Sequence, residues 1–128
     1  MPMMEYGFTD SEWRSAISEA IAILQECAAA QSGWVTYGDL ASRLKSIRID
    51  PFGGPMNHLL TKVSEEENAA GRPLLSAIVV REEDKTPGNG FFTLAKWLGF
   101  KFSDPDDFWI KEFTKATDYW KKQSISSK

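Results

Sequence analysis

Between Gly71 and Gly99 the chain reads GRPLLSAIVVREEDKTPGNGFFTLAKWLG, an apolar run, a charged exit, a Gly/Pro-rich segment and an aromatic run in direct succession. The first part ends in β-branched Ile78, Val79 and Val80 and carries Pro73 at its edge, which reads as a mostly buried strand. Arg81–Lys85 then mark the way out to solvent. Pro87, Gly88, Asn89 and Gly90 offer the turn chemistry that permits positive φ and a sharp reversal. Phe91 and Phe92 read as the returning strand, passing into a short helix that stops at Gly99. A strand–turn–strand unit of this kind confines the fold to one with a small antiparallel β wing.

The flanking segments are helical in pattern. Thr9 or Asp10 caps a first helix whose stripe is Trp13, Ile17, Ile21, Leu24 and Ala28, with Gly33 as its stop. Trp34 and Val35 form a short extended entry. Thr36 with Asp39 three places on has the pattern of a capping box and opens a second helix over about 37–45. RIDPFGGP is an ordered loop, after which a third helix runs from about Pro55 to Gly71 with Met56, Leu59, Leu60 and Val63 inward. The last helix, in SDPDDFWIKEFTKATDYWKK, has acidic residues first and basic residues last, matching the helix dipole. Its stripe is Trp109, Phe113, Ala116 and Trp120.

The chain has 128 residues, so one domain over residues 1–123 is expected, with residues 124–128 as a frayed tail. A hydrophobic share of 42% and a charged share of 26% are those of a self-folding globular chain, not of a disordered one. The net charge of -3 argues against a protein that coats nucleic acid over its whole surface. Any such contact is local. Cys27 is the single cysteine, so an internal disulfide and a cysteine-held zinc are excluded and a reducing, cytoplasmic setting fits best. The opening MPMMEYGFTDSEW has no basic region followed by an apolar run, so neither secretion nor membrane spanning is expected.

These elements in this order define an α+β, winged-helix-like fold: mostly helical, with a small antiparallel wing and flanking N- and C-terminal helices. In such a fold the third helix enters a DNA groove and the wing flanks the backbone. Asn57, His58, Thr61 and Lys62 then face bases or phosphates, and Arg43, Lys45, Arg48, Arg72, Arg81 and Lys85 supply phosphate contacts, with Asn89 in the turn. Glu65, Glu66 and Glu67 on the same helix, and Glu82, Glu83 and Asp84 before the turn, repel DNA at both places. An alternative of another class therefore stands beside it, a module that docks on a protein or dimerises through Trp109, Tyr119 and Trp120.

The run WVTYGDLA, the Gly/Pro-rich loop, an apolar helix, PLLSAIVV and then PGNGFFTLAKWLG resembles the C-terminal winged-helix domain of alkylguanine-DNA alkyltransferases and alkyltransferase-like proteins. The resemblance covers about Trp34 to Gly99 and implies the same fold and double-stranded DNA as ligand. The family's reactive Cys falls on Ser76, its His on Ala77 and its Arg on Ile78, so its alkyl-acceptor chemistry is not implied. Asn57 or His58 stands where the family has its Arg finger. The whole chain is also similar to small bacterial domains of unknown function that join GRPLLSAIVV and PGNGFF to an FW…E…YW helix, here Phe108, Trp109, Glu112, Tyr119 and Trp120.

No residue set makes a complete catalytic constellation. Ser76 needs a base and an oxyanion site, and the sole histidine, His58, lies on another element. His58 alone makes no metal site. The SEEEN and REEDK carboxylates match no calcium-loop spacing, and TPGNG lacks the Lys of a P-loop. A non-catalytic recognition module without metal or cofactor is expected.

Overall fold

A computed structural model of the protein describes residues 4–126. Two short strands, β1 (Met4–Glu5) and β2 (Phe8–Thr9), form an antiparallel hairpin. Trp13 locks it from the following helix by donating its indole N–H to Glu5 O at 2.9 Å. Helix α1 (Asp10–Ala29) opens with a full capping box: Glu12 N–H donates to Thr9 Oγ1, and Thr9 N–H donates to Glu12 Oε1. Its stripe of Ala16, Ala20, Leu24 and Ala28 has no exposure, and the three alanines let α1 pack closely on α3 and α5.

Strand β3 (Val35–Thr36) leads into α2 (Tyr37–Arg43), whose Asp39 N–H is capped by Thr36 Oγ1 at 3.1 Å. A loop over residues 44–53 separates it from α3 (Gly54–Ala69). A 3-10 turn (Leu75–Ile78), strand β4 (Val79–Val80), α4 (Asn89–Trp97) and α5 (Pro105–Ser126) complete the chain. Among the described residues the protein is thus mostly helical, with strands of two residues each. The continuation of α5 to Ser126 carries the helix into the expected tail, of which residues 127–128 lie outside the described residues.

The segment expected to form the antiparallel wing is built differently. β4 pairs with β3 in parallel, Val35 with Val79 and Thr36 with Val80, and α2 and α3 supply the crossover that a parallel pair requires. Before β4, Leu75–Ile78 coil into the 3-10 turn. Every residue from Leu74 to Val80 is buried, so no polar alternation exists to separate a strand from a tight helical turn. The reversal comes earlier than Pro87–Gly90: Arg81 N–H donates to Thr86 O and Lys85 N–H to Arg81 O, with Lys85 at φ 57°. Phe91 and Phe92, expected in a returning strand, sit in the first turn of α4. Helix wins there because Phe91, Leu94 and Ala95 share one face that a second core buries.

That second core lies between the 3-10 turn, α4 and the start of α5. Phe102 stacks on Phe108 with centroids 4.4 Å apart, and Trp109 donates its indole N–H to Ala77 O at 2.8 Å. The larger core gathers α1, α2, α3 and β3 around Leu24, Leu40, Met56 and Leu59. Helix α3 touches the first core and α4 belongs to the second, so the surface where they meet is held from two sides.

Candidate recognition surface

Helix α3 buries Met56, Leu59, Leu60 and Val63, which turns Asn57 outward and leaves Thr61, one turn on, half-buried. Helix α4 buries Phe91, Leu94 and Ala95, which turns Thr93 and Trp97 outward. The two outward sets face one another across a cleft of about 400 Å³ lined by Asn57, Thr61, Gly90, Thr93, Leu94 and Trp97. None of these is charged. Leu94 forms an apolar floor, and the Trp97 indole is 65% exposed. Thr93 donates to Asn89 O at 3.3 Å, whereas the Asn57 and Thr61 side chains take part in no hydrogen bond among the described residues.

The start of each helix is fixed by close contacts. Gly88 N–H donates to the Tyr37 hydroxyl at 2.9 Å, which ties the entry of α4 to α2. Burial pushes the Tyr37 phenol above its ordinary pKa, opposed by that hydrogen bond and by the nearby Arg81 charge. Phe52 lies against Tyr37 with 5.4 Å between centroids, and Tyr6 of the N-terminal hairpin packs on Gly54. Tyr6 and Phe52 are both more than half exposed, so aromatic rings flank the first turns of α3.

The side chains expected to contact DNA do not gather on one basic face. Asn57, Thr61 and Lys62 share α3, with Lys62 3.6 Å from Glu65. His58 is half-buried between Trp13, 4.5 Å away, and Tyr6, 6.0 Å away. Arg43 pairs with Asp39 at 3.0 Å and donates to Cys27 Sγ at 3.5 Å. Arg72 closes the far end of α3 by a bidentate pair with the fully buried Glu67, both contacts at 2.9 Å, and lies over the Trp120 ring. Arg81 pairs with Asp84 at 2.9 Å and also donates to Thr86 Oγ1. Lys85 stands 3.9 Å from Glu82 and 5.2 Å from the Trp34 ring centroid. Lys45 and Arg48 are exposed and make no ion pair among the described residues, and Asn89 is exposed at the first turn of α4.

The rings expected to form a partner surface are largely structural. Trp120 is half-buried against the main core beside Tyr119, and Trp109 clamps the 3-10 turn. Trp109 also lines a notch of about 140 Å³ with Trp34, Val80, Lys85, Ile110 and Phe113. Ser76 is 1% exposed and its hydroxyl accepts from Ser64 at 2.7 Å, so it is closed off from solvent.

Sequence reasoning missed Trp97, Phe52, Tyr6 and Gly90 as parts of this surface. For Trp97 a signal was present. At 100° per residue it falls roughly 110° away from the centre of the stripe made by Phe91, Leu94, Ala95 and Leu98. An indole so far off an apolar stripe is one that the core does not bury. No protein-family model matches the chain, and no curated protein or solved structure is significantly similar to it. Among the described residues no helix is long and apolar enough to cross a membrane.

Proposed function

We propose that this protein is a non-catalytic recognition module that binds double-stranded DNA with the outward side of α3 and the neighbouring Trp97. The observation that carries this reading is that Asn57 and Thr61, on successive turns of one helix, point unengaged side chains into a surface with no charged lining. Base edges are read by uncharged donors and acceptors, while cations hold phosphates. Lys45 and Arg48 lie in the loop that leads into α3 and their side chains make no ion pair among the described residues, with the Glu19 carboxylate held by the backbone N–H groups of Lys45 and Ser46. The winged-helix-like assignment belongs to the same proposal. It is supported by the α2–loop–α3 order followed by the Arg81–Thr86 turn, which takes the place of a wing. The buried Ser64–Ser76 pair supports a non-catalytic role, and the lone buried Cys27 supports a reducing, cytoplasmic setting. A titration of a labelled duplex at several salt concentrations tests the reading.

A second reading, docking on a protein, is favoured by one observation. Arg43, Lys62, Arg72, Arg81 and Lys85 are held by their own carboxylates, while Tyr6, Phe52 and Trp97 stay exposed around α3. Protein interface cores are rich in aromatics and poor in charge. Failure to bind any duplex at low salt, with a light-scattering mass of a dimer, favours self-association through that face.

A further inference from the structure

We infer that the notch between α5 and the β3–β4 pair binds a small aromatic monocarboxylate, with its ring among Trp34, Trp109 and Phe113 and its carboxylate on Lys85. The inference goes beyond the DNA reading and does not rest on it. The walls of the notch are fixed from three sides. Trp109 is held by its hydrogen bond to Ala77 O at 2.8 Å, which sets the angle of its ring. Gly33, at φ 76°, lets the chain cross close over α5, where a β-carbon would stand 2.8 Å from Thr117 Cγ2 and 3.8 Å from Phe113 Cζ. The crossing delivers Trp34 to the side of Phe113. Lys85 comes from the tight turn closed by Arg81 N–H to Thr86 O at 2.8 Å, where it holds a left-handed backbone that glycine or asparagine would take more readily. Its ammonium stands 5.2 Å from the Trp34 ring centroid.

The lining sets the chemistry of the ligand. A notch of about 140 Å³ has the size for one benzene-like ring, an apolar cavity of about 150 Å³ being enough for benzene itself. A long acyl chain does not fit. Aromatic rings gain from offset or edge-on contact with other rings beyond the area they bury, and Trp34, Trp109 and Phe113 supply such contacts. Lys85 is the one charged lining residue, and its partner Glu82 is 75% exposed and 3.9 Å away, at the limit of an ion pair. Such a contact is weak in water, so little is lost when the ammonium turns to a ligand. Of its three N–H donors one goes to Glu82 O, which keeps the head near the rim. No described carboxylate lines the notch, so the ammonium of a free amino acid would meet Lys85 without a counter-charge there. The ligand class is therefore an acid without an amine, of the arylacetic type.

The test is a titration of the full chain with phenylacetate, followed by the indole N–H resonances of its tryptophans. Trp34 and Trp109 are expected to shift with a Kd on the order of 1 mM, while Trp13 and Trp97, which do not line the notch, stay in place. Phenylacetamide, which lacks the charge, is expected to bind about fivefold more weakly, and phenylalanine more weakly than phenylacetate. Lys85→Gln erases the difference between acid and amide. Ile110→Asp puts a carboxylate on the rim and weakens phenylacetate by about tenfold or more. Because Lys85 and Ile110 are exposed, both variants are expected to keep the wild-type circular dichroism and urea midpoint. Equal binding of acid and amide by the wild type, a shift at Trp97 in place of Trp34 and Trp109, or no shift at about 20 mM phenylacetate overturns the inference. N-acetylphenylalanine carries the same ring and carboxylate on a peptide bond, and tighter binding of it than of phenylacetate overturns the free acid as occupant in favour of a peptide C-terminus. None of these outcomes bears on duplex binding, so the DNA reading stands or falls separately.

Discussion

Asn57 of α3 rests on Gly90 of α4, so closely that a β-carbon at position 90 would stand 2.7 Å from Asn57 Oδ1. A contact of that kind links two helices that belong to different cores, and it sets the width of the cleft between them. Gly90 lies in the first turn of α4, where alanine would otherwise favour the helix by about 0.5–1 kcal/mol. In Gly90→Ala the Asn57 side chain swings away. The urea midpoint is expected to stay near wild type while the side-chain amide resonances of Asn57 shift. Unchanged Asn57 resonances would show that the two helices do not meet as described.

Tyr37 anchors the same region from below. Its hydroxyl accepts the only hydrogen bond seen for Gly88 N–H among the described residues. Tyr37→Phe leaves that amide without its partner, and a loss of stability of about 1 kcal/mol is expected. Amide exchange at Gly88 should accelerate while exchange in the middle of α1 slows or quickens only with global stability.

The far end of α3 depends on charge. Glu67 is fully buried and Arg72 is its bidentate partner, so Arg72→Met strands a buried carboxylate. Urea unfolding is expected to show a loss of about 3 kcal/mol. The double variant Glu67→Gln/Arg72→Met should recover part of it, because no charge is then left unpaired. Arg72 therefore answers to stability, and a selective loss of DNA binding at wild-type stability would contradict its placement.

The Arg81–Thr86 turn carries a pH dependence. Hydrogen bonds from the Thr86 hydroxyl and backbone N–H, joined by the Arg81 charge, hold the Asp84 carboxyl below the usual carboxylate range. A carboxylate whose pKa is lowered by folding contributes stability that is present above its unfolded value and lost as pH falls through the folded one. The turn is expected to hold at neutral pH and to loosen in acid below the ordinary range for Asp. An NMR titration of Asp84 with Thr86 amide exchange checks this; an Asp84 titrating above the ordinary value would reverse the sign.

Much of the scaffold was legible in the sequence because it depends on local chemistry. Thr9 and Thr36 announce their caps, and of the expected stripe Trp13, Leu24 and Ala28 lie inward, while Ile17 and Ile21 are half-buried and the small Ala16 and Ala20 take the fully buried places. The region from Leu74 to Phe92 was not legible in the same way. An apolar run buried on all sides has no period to read, and the parallel partner of β4 lies more than forty residues earlier in the chain, at β3. The candidate site was half visible. Asn57 and Thr61 follow from the periodicity of α3, but the cleft exists only because α4 lies beside it. Pairing of cations with carboxylates could be read where partners stand three or four apart, as for Lys62 with Glu65 and Arg81 with Asp84.

The central claim is tested most directly by fluorescence anisotropy of a labelled duplex with the wild-type protein, from low to moderate salt. Lys45 and Arg48, in the loop that leads into α3, carry no ion pair among the described residues, and two phosphate contacts from them would make log K fall with log salt at a slope of about -2. Asn57→Ala should weaken binding by about tenfold or more without altering that slope. No duplex binding at the lowest salt, or binding indifferent to Asn57, Thr61 and Trp97, would contradict a DNA-reading surface on α3 and α4.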